Sequence, residues 1–520
     1  MLDRKRSQRD EKPFNLGQGS VYVVTILLIL LSAYKLEYYP RIWFDEGEIL
    51  QAPKNLVLYG KYALRSSEGF RVLDPALTTG PTVVLPIALA FKVFGVGLFQ
   101  ARLVMVAYLV LAVLAFYQLA NHLYDRRTAL VALWLFIGLS GPAPSLFSLG
   151  RQALGNVPAL FFFLTGALLW MKSIDIGGRD SKVFLFLSGM FMGLAMVTKN
   201  QYGLLIPVMI IVWAVDRLYY KKLCSYHFAI PLAVSVACQL TWYGVQFAIL
   251  GGDEFAGRMG DLQAVSSTSV AVFSTGMILE NLRKLVTTEF LILGVPSLIY
   301  VVLSCAAREL SSLKRVFVLS FVGVWLSWYL LASVGWERYL FDPWVATCIC
   351  VAKVFSDLTE GVGESLRRLW GGLIQREPTV SSPSIAASLI LVFVVLYPFQ
   401  QTVRSIIFAR QDAPQEFARF LDSHVSTDVI VESWEWELGF LTGHNYHFPP
   451  TQIVLAMIRK LYSGVPYPVD AYHFQDFDPD YLIDGPFSKS TGLYPQGFLK
   501  QSCTLVKSIG DYDLYKIQKR

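Results

Sequence analysis

Long apolar stretches dominate the chain, and short polar segments separate them. A helix needs about 17 to 25 mostly apolar residues to cross a bilayer. The pattern therefore predicts a polytopic α-helical membrane protein with about 11 transmembrane helices. These predicted spans lie near residues 20–38, 100–121, 128–147, 153–171, 183–198, 202–219, 228–250, 288–307, 314–334, 338–356 and 384–402.

A shorter apolar run, PTVVLPIALAFKVF at 81–94, has one proline at its start and another inside. We interpret it as a juxtamembrane helix within a first outer loop at 39–99, because a crossing here would turn the later basic loops outward. Under this assignment the loops that contain DRR at 125–127 and RLYYKKL at 217–223 lie in the cytoplasm.

Composition agrees with a membrane protein. Hydrophobic residues make up 54% of the chain and charged residues 16%, and the net charge of +6 comes largely from the basic loops. Because this charge lies between spans, we expect membrane lipids as partners and no nucleic acid. The six cysteines show neither a disulfide framework nor the spacing of zinc ligands.

The basic start, MLDRKRSQRDEKPF, precedes an apolar run at about 21–33. This order predicts an uncleaved first span with a cytoplasmic N-terminus. A cleaved signal peptide is the alternative, but the flanking LSAYKLEYYP is a poor cleavage site. We expect an integral protein of the bacterial inner membrane.

The chain changes character after about residue 402, where turn-rich segments replace the apolar runs. The segment CTLVKSIGDYDLYKI predicts a hairpin about Gly510 and Asp511. We therefore divide the chain into a transmembrane domain at 1–402 and a small extracytoplasmic α/β domain at 403–520.

The segment FDEGE places three carboxylates beside the first span. Asp45 and Glu48 are three residues apart and share a helix face, whereas Glu46 points elsewhere. An ionised carboxylate in this position can act as a general base. The alternative is that the segment is only a solvated first helical turn that the helix dipole stabilises. We expect Glu48 to be a structural residue.

The loop assignment gathers further charged residues on the same outer face, often in short turns. Arginine and lysine in such turns suit a phosphate group, although these side chains also reach for lipid headgroups at the ends of spans. We expect the following residues to bind substrate or phosphate: Asp74, Arg151, Lys199, Arg258 and Arg338.

Four motifs resemble those of the GT-C membrane glycosyltransferases, in the branch of protein O-mannosyltransferases and lipid A aminoarabinose transferases. FDEG opens the first outer loop, FGVGLFQARL enters the next span, GLAMVTKNQYGLL has a lysine at a span turn, and GWERYLFDPWVA precedes a late span. The resemblance covers most of residues 20–356.

The resemblance implies an inverting glycosyltransferase that moves a sugar from a polyprenyl-phosphate donor to a glycan, lipid or protein acceptor on the extracytoplasmic face. It makes Asp45 the general base, and Glu46 its helper or a ligand of a divalent metal. It also makes Lys199 and Arg338 the preferred cations for the leaving phosphate, followed by Arg151.

The chain departs from the aminoarabinose branch at two places. Thr79, Gly80 and Pro81 stand where that branch has Glu-Lys-Pro, and Asn156 stands where it has an aspartate in a later outer turn. A metal-binding glutamate and a lysine of that branch are therefore missing, so its donor and its metal do not carry over to this chain.

A transporter or flippase of an anionic lipid-linked substrate is the alternative function, since the same charges would bind its cargo. A non-catalytic scaffold is a third possibility. The sequence shows neither paired inverted halves nor a charge at the centre of a span, as a midplane transport site requires. A scaffold leaves the clustered outer charges unexplained.

Overall fold

The structure is a computed structural model. It describes residues 25–518 with the exception of 27, 75–76, 139–144, 289, 360–381, 411 and 464–471.

The larger part of the fold is a helical bundle. Among the described residues, eight helices are long and apolar enough to cross a membrane, and a ninth crossing results if Thr275–Val286 and Phe290–Ser304, bent by 72°, form one span. This confirms the predicted polytopic helical fold. The eight helices are Leu98–Leu123, Asn156–Ile176, Gly178–Thr198, Asn200–Tyr220, Tyr226–Leu250, Leu310–Ala332, Glu337–Thr359 and Ser384–Ile407.

Two further predicted spans, 20–38 and 128–147, include residues outside the described part of the chain. Their described portions are helical at 28–33 and at Arg126–Gly138. Two other helices adjoin these spans: the five-residue helix Leu146–Gly150 follows Arg126–Gly138 in the chain, and the 18-residue helix Gly252–Ser269 follows Tyr226–Leu250.

The segment between the first two spans holds two helices and a hairpin. We call Phe44–Tyr59 the site helix and Pro81–Phe94 the juxtamembrane helix. Strands β1 (Ala63–Ser66) and β2 (Gly69–Val72) pair antiparallel between them. The juxtamembrane helix has the predicted bounds, and its 14 residues are too few to cross a bilayer.

Gly80 ties the juxtamembrane helix to the bundle. Its backbone N–H donates to the carbonyl oxygen of Thr198 at 3.0 Å, and a Cβ at this position would overlap the Val197 backbone. Pro81 then occupies the first turn, where a missing N–H costs nothing. The start of the helix therefore lies against the turn that contains Lys199.

The tail is a five-stranded sheet with helices, as expected for an α/β domain. The strands lie in the order β4-β3-β5-β7-β6, with β3 parallel to β4 and β5, and with β7 antiparallel to β5 and β6. The predicted hairpin joins β6 to β7, since Ile509 pairs with Tyr512. The strands are β3 Ile430–Ser433, β4 Asn445–His447, β5 Tyr481–Asp484, β6 Cys503–Ile509 and β7 Tyr512–Ile517, and the helices are Ala413–His424, Trp436–Leu441, Thr451–Ser463, Pro486–Thr491 and Gln496–Ser502.

The site helix lies between two hydrophobic cores. Ile49 and Leu50 belong to the core of the bundle, whereas Phe44 belongs to the core of the tail and stacks on Phe487 with ring centroids 3.9 Å apart. Burial on both sides removes apolar area from water and holds the helix in place.

The tail helix Trp436–Leu441 packs against the site helix at Gly47. The backbone of the tail helix passes so close that a Cβ at position 47 would overlap Trp436 and Glu437. Two helical turns after Gly47, the Lys54 ammonium of the site helix donates to carbonyl oxygens at the C-terminal end of the tail helix, at 2.7 to 3.0 Å. These oxygens belong to Gly439, Phe440 and Thr442. The lysine satisfies carbonyls that have no partner within their own helix.

Replacing Gly47 with alanine is expected to destabilise the protein by about 1 to 3 kcal/mol, because the added methyl group forces the two helices apart. This loss should outweigh the better helix propensity of alanine. The thermal unfolding midpoint of the detergent-purified protein measures it. Gly443→Ala is the matched control, since a Cβ there meets no atom within 4 Å, and equal midpoints for the two variants would contradict the close packing.

Candidate active site

The site helix brings its acidic residues to one end of the bundle. Trp43 precedes the helix in an extended conformation, and Asp45 and Glu46 lie in the first turn. Carboxylates are favourable there because the helix N-terminus carries a partial positive charge. The two neighbouring side chains nevertheless have different surroundings.

Asp45 forms an ion pair with Arg338, which belongs to the short 3₁₀ turn Glu337–Leu340. The Asp45 side chain remains 24% exposed. The guanidinium of Arg338 lies over the rings of Trp336 and Trp43, at 4.3 and 5.6 Å from their centroids. These contacts orient the arginine, so the site presents an accessible carboxylate beside a fixed cation.

Glu46 is fully buried and pairs with Arg102 through both of its oxygens. The Arg102 Nε donates to Oε1 at 2.9 Å and its Nη2 donates to Oε2 at 2.5 Å. The backbone N–H of Ala153 donates to Oε1 at 3.2 Å. Glu46 would have to give up this pairing to bind a metal, so the geometry favours a structural role over the predicted catalytic one.

Glu48 and Asp74 are buried on the other side of Asp45. Burial, and next the charges of Asp45 and Asp74, raise the pKa of Glu48 well above its usual range. A buried carboxyl group whose pKa is raised agrees with the structural role expected for Glu48. The Asp74 carboxylate lies 3.9 Å from Nη1 of Arg258.

Lys199 lies in the turn between two spanning helices and is almost fully buried. Its ammonium donates to the Leu154 carbonyl at 3.0 Å and to Asn156 Oδ1 at 2.8 Å, which are both neutral acceptors. Burial, and next the charge of Arg338, lower the pKa of Lys199 to about 7. An anion beside this group would stabilise its charged form.

Arg151 is a second buried cation, and it follows the short helix Leu146–Gly150. Its Nη2 donates to the Tyr34 carbonyl at 2.7 Å, and the guanidinium lies 5.5 Å from the centroid of the Tyr39 ring. Within the described residues, its Nε and Nη1 have no hydrogen-bond partner. Burial, and next the charge of Arg102, lower its pKa to about 10.

The predicted residues therefore form a connected set. Asp45 pairs with Arg338, and the charges of both act on Lys199, whereas Arg151 feels the charge of Arg102. Asp74 and Arg258 form a flank on the side of Glu48. The described part of the chain contains no group of three or more His, Cys, Asp or Glu side chains that could hold a metal.

Sequence reasoning missed two buried polar residues beside this set. Arg102, the partner of Glu46, lies in the motif FGVGLFQARL, where a cation within an apolar span indicates a buried acidic partner. Asp342, in GWERYLFDPWVA, accepts a hydrogen bond of 2.5 Å from the Tyr202 hydroxyl. Both had a signal in the sequence, because each is a charged residue inside a predicted span.

The fold and the site together define a membrane protein with the GT-C fold. The sequence model of the family described as dolichyl-phosphate-mannose-protein mannosyltransferase matches residues 78–243. A search of curated protein sequences gave no match. The resemblance inferred from the sequence motifs is thus confirmed.

Among solved structures, the chain is similar to ArnT from Cupriavidus metallidurans bound to undecaprenyl phosphate. The TM-score is 0.63 at 12% identity, over 95% of this chain and 98% of that chain. It is also similar to AglB, an archaeal oligosaccharyltransferase from Archaeoglobus fulgidus, in complex with an inhibitory peptide and a dolichol-phosphate. That TM-score is 0.57 at 12% identity, over 96% of this chain and 74% of that chain. At this identity the similarity establishes the fold.

Replacing Arg102 with methionine is expected to lower the free energy of unfolding by about 3 to 5 kcal/mol, because Glu46 is left as a buried charge without its partner. The double variant Arg102→Met with Glu46→Gln should recover part of this loss. Thermal unfolding measures both.

Asp45→Asn is the matched comparison, since it breaks the more exposed pair with Arg338 and should cost less than about 1 kcal/mol. Equal losses in the single and the double Arg102 variants would contradict a pairing of charges.

Proposed function

We propose that the protein is an inverting glycosyltransferase that moves a hexosyl or pentosyl group from a polyprenyl-phosphate donor to a glycan, lipid or protein acceptor. The observation that carries this proposal is the cluster of Asp45, Arg338 and Lys199, in which a partly exposed carboxylate lies beside two cations. The GT-C fold and the family match at 78–243 support it. The similar ArnT structure is bound to undecaprenyl phosphate, and the similar AglB structure is in complex with a dolichol-phosphate.

Asp45 acts as the general base in this proposal. It accepts the proton of the acceptor hydroxyl while that oxygen forms a bond to the anomeric carbon from the face opposite the phosphate. The bond between the anomeric carbon and the phosphate oxygen breaks, and its electron pair leaves with the polyprenyl phosphate. Arg338 keeps the carboxylate oriented toward the substrate, since it binds one of the two Asp45 oxygens.

The leaving phosphate requires positive charge that carboxylates do not already neutralise. Lys199 meets this requirement because the acceptors of its ammonium are both neutral. Arg151 meets it as well, since two of its buried nitrogens have no hydrogen-bond partner among the described residues. Preorganised cations of this kind stabilise the charge that develops on a leaving group. Arg258 is less suited, because Asp74 and Glu254 flank it.

Glu46 supports catalysis by position: its pairing with Arg102 fixes the turn that presents Asp45. A divalent metal at Glu46 would require this residue to give up its paired hydrogen bonds to Arg102, and no step of the proposed reaction depends on a metal. We place the catalytic domain at 1–402 and the tail domain at 403–520. The N-terminus is cytoplasmic, whereas the active site and the tail lie on the extracytoplasmic face of the bacterial inner membrane.

Replacing Asp45 with asparagine is expected to lower kcat for sugar transfer by about 10² to 10⁴, since the general base is removed. Transfer from radiolabelled polyprenyl-phosphate sugars in proteoliposomes measures the loss. Glu337→Gln is the control, because it removes a carboxylate from an exposed position next to Arg338. Unchanged turnover in Asp45→Asn excludes Asp45 as the base, and flux of the lipid without covalent transfer indicates a transporter.

Replacing Lys199 with methionine is expected to lower kcat by about 10² to 10³, because the leaving phosphate loses a preorganised cation. The same variant should bind free undecaprenyl phosphate more weakly, which equilibrium binding measures without turnover. Lys92→Met removes an exposed lysine of the juxtamembrane helix and serves as control. Equal affinity for undecaprenyl phosphate in the Lys199 variant and its control contradicts the phosphate contact.

A further inference from the structure

One face of the spanning helix Tyr226–Leu250 differs from the apolar residues around it. Gln239, Trp242, Tyr243 and Gln246 occupy positions i, i+3, i+4 and i+7, which places them on one side of an α-helix. All four line a single cleft. We call these four residues the amide-aromatic face.

The cleft has an empty volume of about 590 Å³, part of which is open to solvent. Tyr62 and Asp74 of the first loop form the opposite wall, and Arg258 of the helix Gly252–Ser269 closes one side. The Tyr62 and Trp242 rings lie 6.1 Å apart at an angle of 53°.

The cleft adjoins the proposed reaction centre. Gly80 and Asn200 both line it. Asn200 directly follows Lys199 in the chain. The Gly80 backbone N–H donates to the carbonyl oxygen of Thr198, which is the residue directly before Lys199. Asp74 also lines the cleft, and its negative charge raises the pKa of Glu48 in the site helix. A molecule in the cleft would therefore lie against the turn that contains Lys199.

The amide-aromatic face contains a polar group that lacks a protein partner. The Gln239 side chain makes no hydrogen bond within the described part of the chain, and its Oε1 is buried. Arg258 Nε, on a neighbouring wall, is also buried without a hydrogen bond. Buried polar atoms in proteins are nearly always satisfied, and a polar side chain in a membrane span usually marks a functional site. Two unsatisfied groups that line one cleft indicate a ligand.

The charges around the cleft favour an uncharged ligand. Arg258 lies 3.9 Å from Asp74 and 3.4 Å from Glu254, so carboxylates neutralise its charge. A phosphate finds cations with neutral partners at Lys199 and Arg151 instead. A hydrocarbon chain would leave Gln239 unsatisfied.

A sugar ring meets the requirements of this cleft. Its hydroxyl groups donate and accept hydrogen bonds, and an amide side chain does both. Its C–H faces are apolar, and the flat rings of Trp242 and Tyr243 offer them a large apolar surface with a polar edge. We infer that the amide-aromatic face binds the ring of an uncharged sugar and thereby selects the substrate. This inference rests on the proposed function for the source of the sugar, which belongs to either the donor or the acceptor.

The test measures binding to the purified full-length protein in nanodiscs. The probes are free undecaprenyl phosphate, a panel of undecaprenyl-phosphate-linked hexoses and pentoses, and the octyl glycosides of the same sugars. Gln239→Leu removes the amide at similar volume, and Trp242→Leu removes the aromatic surface. Gln118→Leu and Trp213→Leu, on other spanning helices, are the matched controls, since both residues are exposed.

If the cleft holds the donor sugar, Gln239→Leu is expected to weaken binding of the preferred sugar-bearing lipid about tenfold. Binding of free undecaprenyl phosphate should stay within about twofold of wild type. If the cleft holds the acceptor sugar, the octyl glycoside and the KM for the acceptor change by this factor instead. The unfolding midpoint of Gln239→Leu should equal or exceed that of wild type, because the lost amide had no partner.

Equal binding of all sugar-bearing probes to the wild type and to both cleft variants overturns the inference, as does equal weakening for free undecaprenyl phosphate. A wild type that binds none of the sugars overturns it too. A wild type that binds the sugar-bearing lipids through Gln239 but transfers no sugar contradicts the proposed function and leaves the cleft assignment intact.

Discussion

The paired hydrogen bonds between Glu46 and Arg102 hold the rest of the site in place. Both side chains are fully buried, and a buried charge is tolerated only when its partner is well placed. The pair joins the first turn of the site helix to the start of the spanning helix Leu98–Leu123. Since Asp45 and Glu46 are neighbours in the chain, this bond also determines where the Asp45 carboxylate lies. Glu46 thus fixes the position of the turn, and the Asp45 side chain stays partly exposed.

The cations around the site helix fall into two groups, according to whether their partners are carboxylates or neutral groups. Carboxylates balance Arg102 and Arg258, whereas neutral groups bind Lys199 and Arg151. Arg338 belongs to neither group, because its carboxylate partner, Asp45, is the proposed general base. In the proposed reaction this difference favours a phosphate at Lys199 and an uncharged part of the substrate in the cleft beside Arg258.

Much of the architecture was predictable from the sequence, because it depends on local patterns of residues. Run length identified the spans, the shortness of one run and its two prolines identified the juxtamembrane helix, and a Gly-Asp turn identified the last hairpin. The partners of the site residues were harder to predict from the sequence. Glu46 and Arg102 are far apart in the chain, and no local pattern shows that they meet. The contact between Gly47 and the tail was equally hidden, because a glycine within a helix has many explanations.

The three hydrogen bonds from Lys54 give the tail a role that its position in the chain does not suggest. Through them, a side chain from the first loop caps the C-terminal carbonyl groups of a tail helix. The same site helix also contributes Phe44 to the hydrophobic core of the tail. The two parts are consequently a single cooperative unit at this boundary. Truncating the chain before the tail would expose the apolar side of the helix that carries Asp45, so a truncated enzyme would lose activity even if the tail never touches an acceptor.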